Sequence, residues 1–168
     1  GAPAGSGTLA RICVEWEQAA AMAPAGVRVV TTRTGVVLSR SGGALGRLLP
    51  LLRLGVGGPF GDGRQFWPWI SLPDVSRAFL FLLESEVSGP VNLSAPEQAD
   101  VNEIVAALAR ALHRPAALRV PAPVLRLVMR DLARELLLSS QRMEPAVLST
   151  AGFTWQHPSL AQAAAWVA

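Results

Sequence analysis

The sequence contains no lysine and no tyrosine. All fifteen basic side chains among its 168 residues are arginine. This explains an isoelectric point near 10.9, because a guanidinium group does not lose its proton in the accessible pH range. The net charge is only +3, and the arginines are scattered along the chain. A nucleic-acid interface needs basic side chains gathered into a patch or stripe, so we expect no nucleic-acid partner.

Cysteine and long uncharged runs are also scarce. Cys13 is the single cysteine, so no internal disulfide forms, which fits a reducing compartment and predicts a cytoplasmic location. No run resembles a membrane span, and the first residues lack the pattern of a signal peptide, so we expect no membrane partner. Because the sequence does not begin with methionine, we expect it to be part of a longer polypeptide.

Five glycines lie in residues 55–63, GVGGPFGDG. A phosphate-binding glycine loop joins a strand to the N-terminus of a helix, but here the strand-like residues 65–72 follow, and the loop has no Lys-Ser/Thr end. Two interpretations remain. The segment is either a tightly turning loop or a substrate-side loop whose backbone approaches a ligand closely.

Neither metal binding nor nucleophilic catalysis is indicated. His113 and His157 lie 44 positions apart, Cys13 stands alone, and no G-x-S-x-G sequence is present. His113 sits near a predicted helix end, where a cationic cap is the ordinary explanation, and His157 precedes a proline in a turn-like stretch. We therefore predict no metal site and no catalytic residue in this chain.

Hydrophobic periodicity predicts alternating strands and helices. The predicted strands are 27–38, 65–72, 91–95 and 116–120, and the predicted helices are 8–21, 44–54, 73–84, one capped by Asp100 or Asn102, 123–138, 144–151 and 159–167. Alternation of this kind indicates an α/β fold, and the more helical last third predicts a smaller lobe. Gly89 and Pro90 are expected to end the unit that contains helix 73–84.

Helix 73–84 has the clearest pattern. Five apolar residues recur at helical spacing and are predicted to face the core: Val75, Ala78, Phe79, Leu82 and Leu83.

Three polar or aromatic positions suggest contacts. Arg33 lies within an apolar strand and needs a carboxylate, phosphate or carbonyl partner, with Asp74 or Glu17 as the internal candidates. Trp67 and Trp69 alternate in a strand-like run and so point to one side. They either fill the core or form the wall of a ligand pocket.

Several motifs, in order, resemble one family. Residues 33–74, RTGVVLSRSGGALGRLLPLLRLGVGGPFGDGRQFWPWISLPD, look like the central signature of the epimerase-family proteins, which are atypical extended short-chain dehydrogenase/reductases. Residues 89–122 resemble the G-P-x-N…N-x-E…L-x-R-P stretch that follows it, and LARICVEWEQAA resembles the helix that precedes it. The segment ELLLSSQRMEPAVLSTAGFTWQHPSL is similar to the end of the family's C-terminal domain of unknown function.

This resemblance implies an α/β fold: the C-terminal part of a Rossmann-like doubly wound parallel sheet (residues 1–88) and a smaller mixed α/β substrate lobe (residues 89–168). It also implies an NADP(H)-dependent, nucleotide-sugar epimerase-like oxidoreductase acting on a small-molecule substrate. In such proteins the glycine-rich coenzyme turn precedes the matched part, so this chain alone is not expected to bind NADP(H) tightly.

The resemblance also suggests roles for individual residues. The positions expected near the nicotinamide are Arg33, Thr34, Gly35 and Val36, and those expected near the substrate are Gln65, Trp67 and Trp69. Two departures matter. Leu9 and Cys13 stand at the places of the Tyr and Lys of the Tyr-x-x-x-Lys pair, and Ser71 replaces the histidine of W-I-H. A catalytically inactive binding or scaffold relative is therefore the alternative function.

Overall fold

The computed structural model of the chain describes residues 5, 7–43, 45–116, 118 and 139–168. Its helices are α1 (Thr8–Ala21), α2 (Leu45–Arg53), α3 (Leu72–Glu84), α4 (Val101–Ala111), α5 (Ala146–Thr150) and α6 (Leu160–Val167). Its strands are β1 (Val30–Thr34), β2 (Val36–Leu38), β3 (Trp69–Ser71) and β4 (Gly89–Leu93). The predicted helix 123–138 and most of the predicted strand 116–120 lie outside the described residues.

Capping boxes fix the start of two of the helices. Asp100 accepts a hydrogen bond from the N–H of Glu103, whose side chain accepts one from the N–H of Asp100, which is a capping box at the start of α4. Ser159 and Gln162 form the same arrangement at the start of α6. These reciprocal bonds satisfy N–H groups that the first helical turn leaves without partners, which explains why both helices begin close to the predicted positions.

The predicted strand 27–38 is divided in two at Gly35. β1 pairs in parallel with β4, from Val30 opposite Gly89 to Thr34 opposite Leu93. β2 pairs in parallel with β3, with Val36 opposite Trp69. The N–H of Gly35 donates to Leu93 O at 3.0 Å, and the N–H of Val36 donates to Pro68 O at 2.6 Å. One extended segment therefore changes partner strand within two residues.

Buried side chains form two clusters. One contains Trp67 and Trp69 together with apolar residues of α2, α4 and α6. The other lies between α3 and the strands, and its members are Ile70, Val75, Ala78, Leu82, Val91, Leu93, Leu148 and Phe153. Helices thus pack against parallel strands, which confirms the α/β class. The predicted division after residue 88 stays a prediction, and the paired strands β1 and β4 lie on opposite sides of it.

Two predictions about the α3 region were wrong. Val75, Ala78 and Leu82 are buried, but the side chains of Phe79 and Leu83 are 45% and 73% exposed. Periodicity identified apolar positions, but the helix has apolar residues on two faces, and in the described part of the chain only one face is covered. Gly89 and Pro90, expected to end the unit, are the first residues of β4.

His113 holds a backbone conformation that suits glycine better. Its φ is +53°, just beyond the end of α4, and the N–H of Arg114 donates back to Ala109 O. We expect His113→Gly to raise the free energy of unfolding by about 0.5–1 kcal/mol, because glycine adopts this left-handed position without steric cost. Urea denaturation measures the change. His113→Ala is the control and should give no such gain; equal stability of the two variants would contradict the prediction.

Candidate functional site

The place where β1, Gly35 and β2 meet is the candidate functional site. In doubly wound α/β sheets, ligands bind outside the carboxyl ends of parallel strands, and Thr34 and Leu93 end two paired strands here. A Cβ on Gly35 would lie 2.6 Å from Pro68 O and 2.8 Å from Pro68 C. Only glycine allows the chain to pass this close to Pro68, so the change of partner strand depends on Gly35.

Arg33 is tied to helix α1 at this point. Its Nε donates to Glu17 Oε1 and its Nη2 to Glu17 Oε2, both at 2.7 Å, which is the two-point geometry that guanidinium and carboxylate favour. Of the two predicted internal partners, Glu17 is therefore confirmed and Asp74 is wrong. The Arg33 side chain is 49% exposed, because it lies where β1 emerges from the sheet. A ligand at this edge would find the guanidinium accessible.

The contact shifts the titration of both groups. Hydrogen bonding from Arg33 is the largest cause that lowers the pKa of Glu17; partial desolvation opposes it, and the positive charge of Arg33 adds to it. Hydrogen bonding to Glu17 likewise raises the pKa of Arg33. The ion pair therefore persists at neutral pH and weakens in acid.

This pair gives the fold a small acid sensitivity. A carboxyl whose pKa is lower in the folded than in the unfolded chain stabilises the fold above the unfolded pKa, and the contribution disappears as pH falls through the folded pKa. We expect Glu17→Gln to lose at most about 0.5–1 kcal/mol at neutral pH, because the pair is exposed. As pH falls from the usual Glu pKa of about 4.3 through the lower pKa of the folded chain, the two proteins should converge. Urea titrations across this range check it; a gap that widens in acid would contradict it.

The residues predicted to bind coenzyme and substrate meet at one point. Thr34 is exposed at the end of β1, and Val36 is half-buried directly opposite Trp69. Trp69 also follows Pro68, the residue packed against Gly35. The structure therefore places the segment predicted to lie near the nicotinamide beside one of the residues predicted to lie near the substrate.

The other two predicted substrate residues lie behind this point. Trp67 is buried in the same cluster as Trp69, with its ring 5.0 Å from that of Phe60. Gln65 is buried, and its Nε2 donates to Phe60 O at 3.2 Å. Both buried side chains contact Phe60 and so stabilise the glycine loop. They lie beneath the surface of the candidate site and support it without being exposed to a ligand.

The glycine loop packs against its own chain. A Cβ on Gly57 would lie 2.8 Å from the backbone nitrogen of Leu52 in α2. Gly63 has a φ of +72°, and a Cβ there would meet the Asn102 side chain of α4 at 2.1 Å. At Gly57 and Gly63 these contacts favour the tightly turning loop over the substrate-side loop, because these glycines are needed for close packing within the protein.

A buried polar cluster was missed from the sequence. The Asp74 carboxylate is fully buried and accepts hydrogen bonds from the N–H of Gln156 at 2.6 Å, the N–H of His157 at 2.9 Å and the Ser71 hydroxyl at 2.8 Å. His157 Nδ1 lies 3.0 Å from Ser71 Oγ. Since that hydroxyl already donates to Asp74, Nδ1 must carry the proton that it directs at Ser71.

The order of these groups indicates a structural role. A nucleophilic triad needs a histidine that accepts the serine proton, whereas here the serine donates to the carboxylate and accepts from the imidazole. The cluster instead joins the β3–α3 junction to the segment before α6. One local signal was present: Ser71-x-x-Asp74 before an apolar run is the pattern of a helix N-cap, and the N–H of Asp74 does donate to Ser71 Oγ.

Two other kinds of site find no support. Across the described ranges, no three His, Cys, Asp or Glu side chains come close enough together to hold a metal ion. In the same part of the chain, no helix has the length and apolar character that a membrane span requires.

Comparisons with known proteins extend these observations. A domain of unknown function, DUF1731, matches residues 120–167. The epimerase family protein Mb2239 of Mycobacterium bovis is 44% identical over 162 residues, which cover 95% of this chain and 54% of that protein. The chain thus spans about half the length of the curated relatives it matches.

Two solved structures resemble the fold. The crystal structure of a human epimerase family protein, SDR39U1 isoform 2 with NADPH, matches with a TM-score of 0.90 and 34% identity, over 94% of this chain and 54% of that one. A nucleoside-diphosphate sugar epimerase of Corynebacterium glutamicum matches with a TM-score of 0.70 and 30% identity, over 98% of this chain and 32% of that one. The fold is therefore that of the C-terminal part of a Rossmann-like epimerase.

Proposed function

Because the chain belongs to the epimerase family and corresponds to the C-terminal half of its members, we propose that it forms the substrate side of an NADP(H)-dependent epimerase-like oxidoreductase. The observation that carries the proposal is the strand change at Gly35, flanked by exposed Arg33 and Thr34. It lies at the carboxyl ends of parallel strands, where such folds bind ligands. The match to a relative crystallised with NADPH supports NADP(H) as the coenzyme.

The residues at this edge fit one end of the coenzyme. The Thr34 hydroxyl and the Arg33 guanidinium are accessible polar groups suited to an amide, a ribose or a phosphate oxygen. The glycine loop does not offer a pyrophosphate cradle, because its glycines pack against α2 and α4. We assign Arg33, Thr34, Gly35 and Val36 to the nicotinamide end. NADP(H), when bound, supplies the hydride chemistry.

On the substrate side, Trp69 lies beside the strand change while Gln65 and Trp67 support it from within. Trp69 is only 1% exposed, so it supports the exposed polar groups from beneath, and a firm base of this kind suits a small molecule with a sugar-like or carbonyl carbon at the reacting position. In this proposal the chain binds and orients the substrate and excludes water from one side of the site.

The composition of α1 favours a second candidate function. By resemblance, Leu9 and Cys13 occupy the places of a catalytic Tyr and Lys, and the sequence has neither residue type. Leu9 has no proton to transfer, and Cys13 is an exposed thiol. A protein that binds NADP(H) and a ligand without turnover, as a binding or scaffold relative, is therefore the alternative to an active enzyme.

Titration with NADPH tests the proposed function. The protein used joins this chain to a coenzyme-binding half, and NADPH fluorescence is followed during the titration. We expect saturable binding in the micromolar range that Thr34→Val weakens. Thr150→Val is the matched control, because Thr150 lies with Val87 and Ser88 at the opposite end of β4. A flat response up to millimolar NADPH would overturn the proposed function, and binding without any turnover of carbonyl substrates would favour the scaffold alternative.

A further inference from the structure

The outward side of α3 is apolar although it is exposed. Phe79, Leu80 and Leu83 lie within little more than one helical turn, the Leu80 side chain is 60% exposed, and Leu72 adds another exposed leucine at the start of the helix. Soluble proteins usually expose large apolar residues singly, whereas a group of them in one patch marks a surface that binds something. We call these four residues the outer face of α3.

The outer face points away from the sheet. The buried residues Val75, Ala78 and Leu82 belong to the cluster between α3 and the strands, and a helix with about 3.6 residues per turn places Leu80 and Leu83 on its other side. Further strands of the sheet, or helices in the same layer as α3, would meet α3 along its flanks. Whatever covers the outer face must therefore approach from beyond this layer.

Helix α3 is fixed at both ends without such a partner. At its start, the Ser71 hydroxyl accepts from the Asp74 N–H and donates to the Asp74 carboxylate. At its end, the Arg28 guanidinium donates to Leu82 O and Leu83 O, both at 3.0 Å, and these carbonyls belong to the last helical turn, which has no intrahelical donors for them. A surface held in place beforehand loses less conformational entropy on binding.

Two opposite charges flank the outer face on one side. Arg77 and Glu84 are seven residues apart, which is close to two full turns and about 10 Å along the helix axis. The Arg77 side chain is 44% exposed and meets Asp74 only at 3.5 Å, and Glu84 makes no ion pair with any residue that the structure describes. A row of one positive and one negative charge is complementary to a reversed copy of itself.

We propose that the outer face of α3 is a self-association surface, on which a second copy of this chain packs its own α3 in the antiparallel direction. A two-fold axis near Leu80 brings Leu80 against its own copy and Phe79 beside Leu83 of the second copy. The same axis places Arg77 opposite Glu84 of the second copy, and this pair occurs twice. A parallel arrangement would instead set like charges against each other. This inference goes beyond the proposed function and does not depend on it.

Sedimentation equilibrium over a concentration series tests the association. We expect the mass to rise toward twice the 17.7 kDa of one chain. Leu80→Arg should weaken the association about tenfold or more, because it sets two positive charges against each other at the axis. Leu54→Arg is the matched control, since it makes the same change at an exposed leucine just after α2 and should leave the association unchanged. Thermal melting confirms that both variants fold.

A charge reversal tests the antiparallel direction. Glu84→Arg should weaken the association about fivefold or more at low salt, because two attractive pairs become repulsive. Glu86→Arg makes the same charge change at an exposed position beyond the end of α3 and is the matched control. The difference between the two variants should shrink at high salt, where exposed charges are screened. Equal effects of the two substitutions at low salt would contradict the antiparallel arrangement.

The remaining outcomes identify what covers the outer face. A chain that stays monomeric at every concentration, or a dimer that is indifferent to Leu80→Arg, would overturn the inference. So would a dimer that dissociates when the chain is joined to a coenzyme-binding half, because that half would then cover α3. Sedimentation with phosphatidylcholine vesicles that is lost in Leu80→Arg would assign the face to a lipid surface and overturn self-association. Persistence of the dimer in the joined protein would support it.

Discussion

Asp74→Asn is expected to destabilise the fold by about 3 kcal/mol or more, because it changes a buried carboxylate that accepts hydrogen bonds from several groups. The carboxylate is fully buried and receives two backbone N–H groups and the Ser71 hydroxyl, and Arg77 lies 3.5 Å away. In asparagine one of the two carboxylate oxygens becomes an NH2 group, which is itself a hydrogen-bond donor. It would face the N–H and O–H donors that the carboxylate accepts from, and at least one of these buried bonds would be lost. The loss is a large share of the stability of a domain, which is typically about 5–15 kcal/mol.

Urea denaturation followed by tryptophan fluorescence measures this effect. Two controls separate the buried carboxylate from its surroundings. Arg77→Gln should cost less than about 1 kcal/mol, because the Arg77 side chain is largely exposed and its contact is long. Asp62→Asn makes the same chemical change at an exposed site and should be nearly neutral. If Asp74→Asn were no worse than these two, the cluster would have no structural importance.

Gly35→Ala is expected to destabilise the fold by about 3 kcal/mol and to disrupt the candidate site as well. The added Cβ would lie 2.6 Å from the backbone oxygen of Pro68. A flexible side chain could rotate to relieve such a contact, but the backbone of Pro68 cannot. Relief requires β2 and β3 to separate, which breaks the bond from Val36 N–H to Pro68 O. Trp69 would then move away from Thr34.

Gly46→Ala is the matched control for this substitution. Gly46 lies within α2, has no atom within 4 Å of the added Cβ, and should gain stability because alanine favours a helix by up to about 1 kcal/mol. Thermal denaturation compares the two variants, and near-ultraviolet circular dichroism reports on the tryptophan environment. A Gly35→Ala protein with the melting temperature and spectrum of the unsubstituted chain would refute the steric argument.

The sequence predicted local structure well where local chemistry determines it. Helices α4 and α6 begin at capping residues that bond to backbone three positions away, and such signals are visible in any short window. The helix α3 was also located, but its exposed residues Phe79 and Leu83 were not. Periodicity identifies which positions are apolar, whereas burial depends on what else packs there.

For the candidate site, too, the sequence predicted the features that depend on neighbouring residues and missed those that depend on tertiary contacts. The four residues 33–36 are contiguous, so any fold brings them together, and Glu17 could be named as a partner of Arg33 because the charge needed an acid. The cluster of Ser71, Asp74 and His157 joins residues more than eighty positions apart, and no local pattern marks that contact. The change of partner strand at Gly35 is likewise a tertiary feature that strand propensity does not reveal.

Pro90 bears on how the protein could aggregate. Fibril growth by strand addition requires each molecule to offer two edges with free backbone donors and acceptors, one for the preceding neighbour and one for the following neighbour. Pro90 lies in β4 opposite Thr31 and leaves the edge of β4 that faces away from β1 one backbone N–H short. Strand addition at this edge is therefore disfavoured, which impedes amyloid-like growth through the sheet of β1 and β4 on that side.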